Sequence, residues 1–287
     1  MKKDIKIIIA AHKECGVPRD EMYLPLHVGA EGKRNPDGTP LDFGFAKDNT
    51  GDNISWLNPY FSELTGLYWA WKNLEADYIG LVHYRRMFSG SHPDRNDISG
   101  SAITSQQLAP MLDRYRVFVP KKRRYYIETL ASHYSHTHDG LHLKICRCII
   151  ERRHPEYLDS YDRVLKRSWG YMFNMMILPR DLLDEYCSWL FDILFILFKN
   201  VDHENMTAFE KRFPGRMSEI LFNVWLDYEI QAGKIRKNEV RELNYVEDVD
   251  WSQKIRSFLA AKFLNRKYGG SSQTHSGQAD SGSQKGR

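Results

Sequence analysis

Four adjacent residues in this 287-residue chain have the means to do chemistry: His83-Tyr84-Arg85-Arg86. An imidazole, a phenol and two guanidiniums put hydrogen-bond donors and fixed positive charge in one place. Arginine forks match phosphate oxygens two at a time and keep their charge at any working pH, with no metal needed. That chemistry suits a diphosphate clamp. The competing reading is a strand end whose arginines pair with nearby carboxylates. The quartet closes an apolar run, Tyr78-Ile79-Gly80-Leu81-Val82, whose length and abrupt polar end predict a buried strand. In an open α/β sheet, ligands bind beyond the carboxyl ends of the strands, so this run is the element that must deliver the quartet to a crevice.

The other expected elements gather around that strand. IKIIIAA, residues 5–11, is continuous and β-branched, as a parallel strand buried on both faces requires, and His12 and Lys13 follow at its carboxyl end. Residues 15–53 are broken by Gly and Pro and end in Asn49-Thr50-Gly51-Asp52-Asn53, a turn cluster. A stretch this long and irregular is a functional loop in expectation. Asn58-Pro59 opens a predicted helix over 59–74, with Leu64, Leu67, Tyr68 and Trp71 on its apolar face and Glu63 in its first turns, where a carboxylate suits the helix dipole. Trp69 and Trp71 read as core packing. Further on come a helix at 106–115, a short strand at 117–119, and Lys121-Lys122-Arg123-Arg124, either a solvated face or a contact for phosphates or an anionic membrane. YMFNMMIL, residues 171–178, reads as a strand whose lone amide, Asn174, must bond the backbone or a sugar hydroxyl. A helix over 181–199 is apolar almost all round in its second half, so it is a core helix or touches lipid, and it is too short in apolar length to span a bilayer. A last helix over 217–229 carries Glu219 in its first turn beside Arg216, either as a structural ion pair or as a general base held open to a crevice.

Composition sets limits on function. With 42% hydrophobic and 27% charged residues this is an ordinary globular chain, and a net charge of +4 suits an anionic ligand rather than nucleic-acid coating. Cys15, Cys146, Cys148 and Cys187 form no disulfide framework, so a reduced, cytoplasmic setting is expected. The start of the chain imitates a signal peptide but runs from Ala11 straight into His12-Lys13-Glu14, which favours a first strand. His133, His136, His138 and His142, followed by Cys146 and Cys148, are the main competing metal signal, yet their spacing fits no zinc pattern. One or two of these histidines, His133 first, are expected to face the crevice. The organisation expected is one large domain over 1–245, a basic amphipathic helix over 246–268 suited to an anionic membrane or to docking on its own domain, and a Ser/Gly/Gln-rich tail over 269–287.

DNISWLNPYFSELTGLYWAWKN, DYIGLVHYRRMF, SWGYMFNMMILPRDLLDEYCSWLFDIL and RFPGRMSEILFNVWL together resemble a bacterial family, long called a domain of unknown function, found in capsular and exopolysaccharide gene clusters. Some of its members are glycosyltransferases, galactofuranosyltransferases among them. The likeness runs from about Ile5 to Tyr228. It implies an α/β fold, a GT-A-like Rossmann-type central sheet, mostly parallel and flanked by helices. It also implies a UDP-sugar donor, UDP-galactofuranose at family level, and a glycan acceptor, lipid-linked, with no nucleic acid involved. In many such folds the strand equivalent to residues 78–82 ends in Asp-x-Asp, which holds a divalent metal on the donor diphosphate. His83-Tyr84-Arg85 stands there instead, which points to fixed cations and no metal cofactor. The resulting site is His12, Lys13, Asp52, His83, Tyr84, Arg85, Arg86, Asn174 and Arg216 on the donor, with Glu219 as base and His133 or Glu63 as its rivals. Two other classes remain open: a non-catalytic polyanion or membrane-binding module, and a metal-dependent hydrolase built on the histidine cluster.

Overall fold

The computed structural model describes residues 3–248 except His92 and Arg95, and the basic helix and tail expected beyond residue 248 lie outside the described residues. Eleven strands are described: β1 (Ile5–Ala11), β2 (Tyr23–His27), β3 (Ala46–Lys47), β4 (Tyr78–His83), β5 (Arg86–Phe88), β6 (Val117–Pro120), β7 (Arg123–Arg124), β8 (Trp169–Gly170), β9 (Met176–Pro179), β10 (Val240–Leu243) and β11 (Tyr245–Glu247). The helices are α1 (Asn58–Phe61), α2 (Leu64–Asn73), α3 (Ser105–Leu108), α4 (Leu130–Thr137), α5 (Leu141–Arg153), α6 (Leu158–Leu165), α7 (Arg180–Asn200) and α8 (Phe213–Gln231).

The main sheet runs β10-β6-β9-β4-β1-β2-β3. Six of these strands point one way, and β9 alone runs against its neighbours β4 and β6. The fold is therefore a mostly parallel α/β sheet flanked by helices. Successive side chains of a strand face opposite sides. Ile5, Ile7 and Ile9 of β1 accordingly enter one core with Tyr78, Val82 and Phe118, while Ile8 and Ala10 enter the larger one beneath the helices. This double burial is why both strands read as unbroken apolar runs. Register matters most at the carboxyl edge. Ala10 pairs with His83 and Ala11 with His27, so His12, Tyr84 and Val28 leave the sheet side by side. The chain then folds back from β4 into β5, and β11 pairs with β5, so the boundary expected after residue 245 falls inside a strand.

Helix α2 lies close on this edge because Gly66 has no side chain there; a Cβ would sit 2.9 Å from Val28. Trp69 is buried, and Trp71 stacks on Phe191 of α7, so both tryptophans serve packing. Leu182, Leu183, Leu190, Ile193, Leu194 and Leu197 bury α7 in the larger core, which accounts for its all-round apolarity. Among the described residues no helix is long and apolar enough to cross a membrane.

Four local readings change. The helix expected over 59–74 is two helices, because Ser62 sits at φ 51° with its carbonyl bonded by the Asn58 side chain. The strand expected over 171–178 shrinks to β9, because Phe173 at φ 77° and Asn174 at φ 52° cannot lie on a pleated strand. The helix expected over 106–115 shortens to α3 and one 3₁₀ turn at Ala109–Met111. Helix α8 starts at Phe213, with Pro214 in its first turn, so Glu219 belongs to the second turn and Arg216 to the first.

Gly80 lies where β1, β4 and β9 meet. A Cβ there would stand 2.8 Å from the Ile177 side chain and 3.1 Å from the Met176 carbonyl. Gly80→Ala is expected to overpack the sheet at a cost of about 1–3 kcal/mol. A thermal melt should show the midpoint falling by roughly 2–4 °C per kcal/mol.

Candidate active site

The carboxyl ends of β1, β2 and β4 form the floor of a cleft of about 630 Å³. His12 packs edge-on against Tyr84 with ring centroids 4.9 Å apart. The Nε2–H of His83 donates to the Phe173 carbonyl at 2.6 Å, which ties β4 to the loop before β9. Arg85 is exposed at the rim, with its guanidinium 5.6 Å from the Tyr84 ring and no carboxylate partner among the described residues. Arg86 is engaged elsewhere. Its Nε and Nη2 both donate to Glu247 of β11, at 3.0 and 2.6 Å, and its guanidinium lies 3.8 Å from the Phe173 ring. The two arginines therefore differ in their partners. Arg85 lines the cleft with no carboxylate partner among the described residues, and Arg86 is half of an ion pair that closes the β4–β5–β11 corner, although it still lines the cavity.

Arg212, Lys211 and Lys33 bring further positive charge to the same cavity. On His12, burial lowers the pKa, and the charges of Arg212, Lys13 and Arg85 lower it further. Such surroundings disfavour the protonated imidazole and favour an anion.

The opposite wall is built on Asn174, which is 3% exposed. Its Nδ2 donates to Glu63 Oε1 at 2.6 Å and to the Gly215 carbonyl at 3.0 Å, and its Oδ1 accepts from Ser218 at 2.8 Å. Glu63, at the N-cap of α2, is thereby joined to the first turns of α8. Arg216 Nη1 donates to Glu219 Oε1 at 3.2 Å, and Glu219 first, then Glu63, hold the guanidinium firmly charged. Glu219 is 7% exposed yet lines the cavity, as do Glu63 and Arg216. Three of the four non-glycine residues with positive φ among the described residues, Ser62, Phe173 and Asn174, belong to this wall. Such conformations cost roughly 1–3 kcal/mol each and persist only where the surroundings over-determine them.

The structure brings His12, Glu63, His83, Tyr84, Arg85, Arg86, Arg216 and Glu219 into one cleft. Asn174 stands behind it as the residue that holds Glu63, rather than reaching a sugar. Three expected residues lie elsewhere. Lys13 is exposed outside the lining, with its Nζ 5.3 Å from the Tyr84 ring. Asp52 accepts from Tyr68 at 3.2 Å on the outer side of α2, because the turn cluster is tied to Asn73 rather than to the sheet edge. His133 bonds Glu128 at 2.7 Å and packs on Tyr125, which turns its ring away from the cavity.

The remaining histidines scatter. His136 also bonds Glu128, His138 stacks on Phe209, and His142 bonds Tyr134 and stacks on Phe213. Burial lowers His138 to about 4, as expected of a packed neutral ring. Among the described residues no group of three or more His, Cys, Asp or Glu side chains is placed to hold a metal ion, so the histidine cluster does not assemble the site a hydrolase would need. The donor set at the end of β4, imidazole, phenol and guanidinium, likewise does not fit the divalent metal carried by Asp-x-Asp transferases.

Sequence reasoning missed Lys33, Asn58, Lys211, Arg212 and Asp248, all of which line the cleft. A Lys-Arg pair just before a proline-started helix was the available signal for two of them. It also missed Asp48, fully buried, which accepts from Gly29 N, Ala30 N, Ser55 and Thr65 and so fixes the loop that carries His27 and Val28 to the cavity.

Residues 6–230 match the family described as a domain of unknown function, DUF4422. The chain belongs to this family. No curated protein matches it. Among solved structures, this DUF4422 chain is similar to the apo structure of WbbM, a bifunctional glycosyltransferase, at 29% identity and a TM-score of 0.77. The likeness covers 86% of this chain and 46% of that one, so the DUF4422 chain spans less than half the length of WbbM. The fold described above is shared with that glycosyltransferase.

Asn174→Ala removes three hydrogen bonds from a buried site and is expected to cost about 1–3 kcal/mol. Asn174→Gly accepts φ 52° without strain but loses the same bonds. Both variants should melt below wild type; a glycine variant as stable as wild type would show that the amide bonds contribute nothing.

Proposed function

We propose that this chain is a nucleotide-sugar-dependent glycosyltransferase that binds its donor diphosphate through fixed cations. The observation that carries the reading is the cleft at the carboxyl edge of β1 and β4, where Arg85, Arg212 and Arg216 face a pocket that also holds three carboxylates, Glu63, Glu219 and Asp248, the first two on the wall opposite Arg85. The similarity to a glycosyltransferase supports it, and the first turn of α8, with Gly215 and Arg216 in the lining, adds the positive end of a helix dipole.

The donor pyrophosphate lies between Arg85 and Arg212, and the sugar reaches toward Glu219. A carboxylate then takes the proton of an acceptor hydroxyl as that oxygen bonds to the anomeric carbon. The bond from that carbon to the diphosphate breaks with inversion, and the departing negative charge is received by the guanidiniums without a metal. Glu219 is assigned this role because it is the more deeply buried of the pair and is oriented by Arg216 from the preceding turn. Glu63, held by Asn174, faces the same space and is the alternative base. His133 is set aside because Glu128 holds it outside the lining. At finer grain the donor is UDP-galactofuranose and the acceptor a lipid-linked glycan of capsular, exopolysaccharide or O-antigen synthesis. Both rest on the family resemblance alone.

Two substitutions test the reading. Glu219→Gln should lower turnover about 10²–10⁴-fold with little change in donor affinity; turnover near wild type would transfer the role to Glu63, to be checked with Glu63→Gln. Arg85→Ala should weaken UDP-sugar binding in titration calorimetry by about 1.5–3 kcal/mol, the value of a charge-assisted contact. Unchanged affinity there would remove Arg85 from the donor site.

A further inference from the structure

The segment between β6 and α4 carries features that neither core nor cleft uses. Tyr126 and Ile127 form a turn at its tip and are 88% and 97% exposed, the most exposed of the large apolar side chains among the described residues. A single exposed apolar residue needs no explanation, but two adjacent ones at the crest of a turn form a contact surface. Tyr126 holds φ 49°, a conformation disfavoured for an aromatic residue, so the turn presents its side chains at a conformational cost. The base of the turn is fixed: Tyr125 N donates to the Ser168 carbonyl at 2.8 Å, and Glu128 N to the Tyr125 carbonyl at 3.2 Å.

Cations surround the tip. Lys121, Arg123 and Arg124 are exposed, and none has a carboxylate partner among the described residues. Lys122 differs from them, since it turns inward to Glu242 at 3.0 Å and lies over the Trp169 ring. The segment thus sends one lysine to the fold and leaves three exposed positive charges just before the apolar pair in sequence. The root of the turn lies outside the cleft lining, packed on His133, yet Tyr125 is close enough to Glu219 and Arg216 for their charges to act on its phenol.

We propose that this turn docks the chain on an anionic lipid bilayer, with Tyr126 and Ile127 entering the interfacial layer and Lys121, Arg123 and Arg124 meeting lipid phosphates. Charge complementarity selects this occupant. A bilayer surface offers apolar depth and a continuous layer of phosphates together, and tyrosine suits the boundary between them. The docked chain would hold the Glu219 side of the cleft near the membrane, where a lipid-linked acceptor resides. That consequence rests on the transferase reading, whereas the docking itself does not.

The experiment is co-sedimentation of the full-length chain with vesicles of mixed phosphatidylglycerol and phosphatidylcholine, and with pure phosphatidylcholine, in the absence of any nucleotide sugar. Wild type should bind the mixed vesicles and not the neutral ones, and added salt should weaken binding. The double variant Y126S/I127S should bind about tenfold more weakly at an unchanged melting temperature, since both side chains lie outside the core. The double variant R123E/R124E should lose binding. Wild type that ignores anionic vesicles, or binds neutral ones equally, overturns the proposal. Wild-type binding by both variants overturns it too, by placing the contact elsewhere on the chain. Loss in R123E/R124E alone, with Y126S/I127S binding as wild type, overturns it in favour of a purely electrostatic polyanion surface. Because no sugar is present, failure of the transferase reading leaves every one of these outcomes unchanged.

Discussion

A buried amide governs the shape of the cleft. Asn174 joins three stretches that are far apart in sequence: Glu63 at the start of α2, its own loop before β9, and Gly215 with Ser218 at the start of α8. An unpaired amide at this depth would be costly, so the three stretches hold together or come apart together. The backbone is strained at Ser62, Phe173 and Asn174, beside this network. The Ser62 carbonyl is taken by the Asn58 side chain and the Phe173 carbonyl by His83, while Asn174 turns its own amide into the network. Both candidate carboxylates stand on parts that this amide connects.

On the other side of the cavity the organising force is charge. Arg85, Arg212, Lys211 and Lys33 share one pocket, and the pKa of His12 is lowered first by burial and then by the charges of Arg212, Lys13 and Arg85. In a sheltered cavity the field of such charges is much stronger than on open surface. It favours a ligand with several negative charges. The carboxylates of the other wall are kept from neutralising it by local pairing, since Glu219 is occupied by Arg216 and Glu63 by Asn174.

Legibility in the sequence followed the range of the interaction that decides each feature. β1 and β4 were plain because double-sided burial writes an apolar run into contiguous residues, and their polar ends marked the floor of the site. Asn174 stood out as a polar interruption, but its left-handed backbone was hidden, because positive φ there is imposed by partners 41 to 111 residues away. The same limit explains Arg86, whose carboxylate partner comes from β11, and Asp52 and His133, whose neighbours on α2 and at Glu128 capture them before the cleft can. Arg212 and Asp48 left only generic signals, a basic pair and a loop aspartate, and became meaningful once packing showed what they surround.

The pairing of Ala10 with His83 and of Ala11 with His27 makes the chemistry sensitive to length. An extra residue inside β1 would carry His12 about 3.3 Å onward and swap the faces of every side chain beyond the insertion. The same addition in the irregular stretch between β2 and β3 would be absorbed by a wider loop. The cleft is thus ruled off by the counted residues of three parallel strands, and drift in sequence length among related chains has room to accumulate only where no ruler is being read.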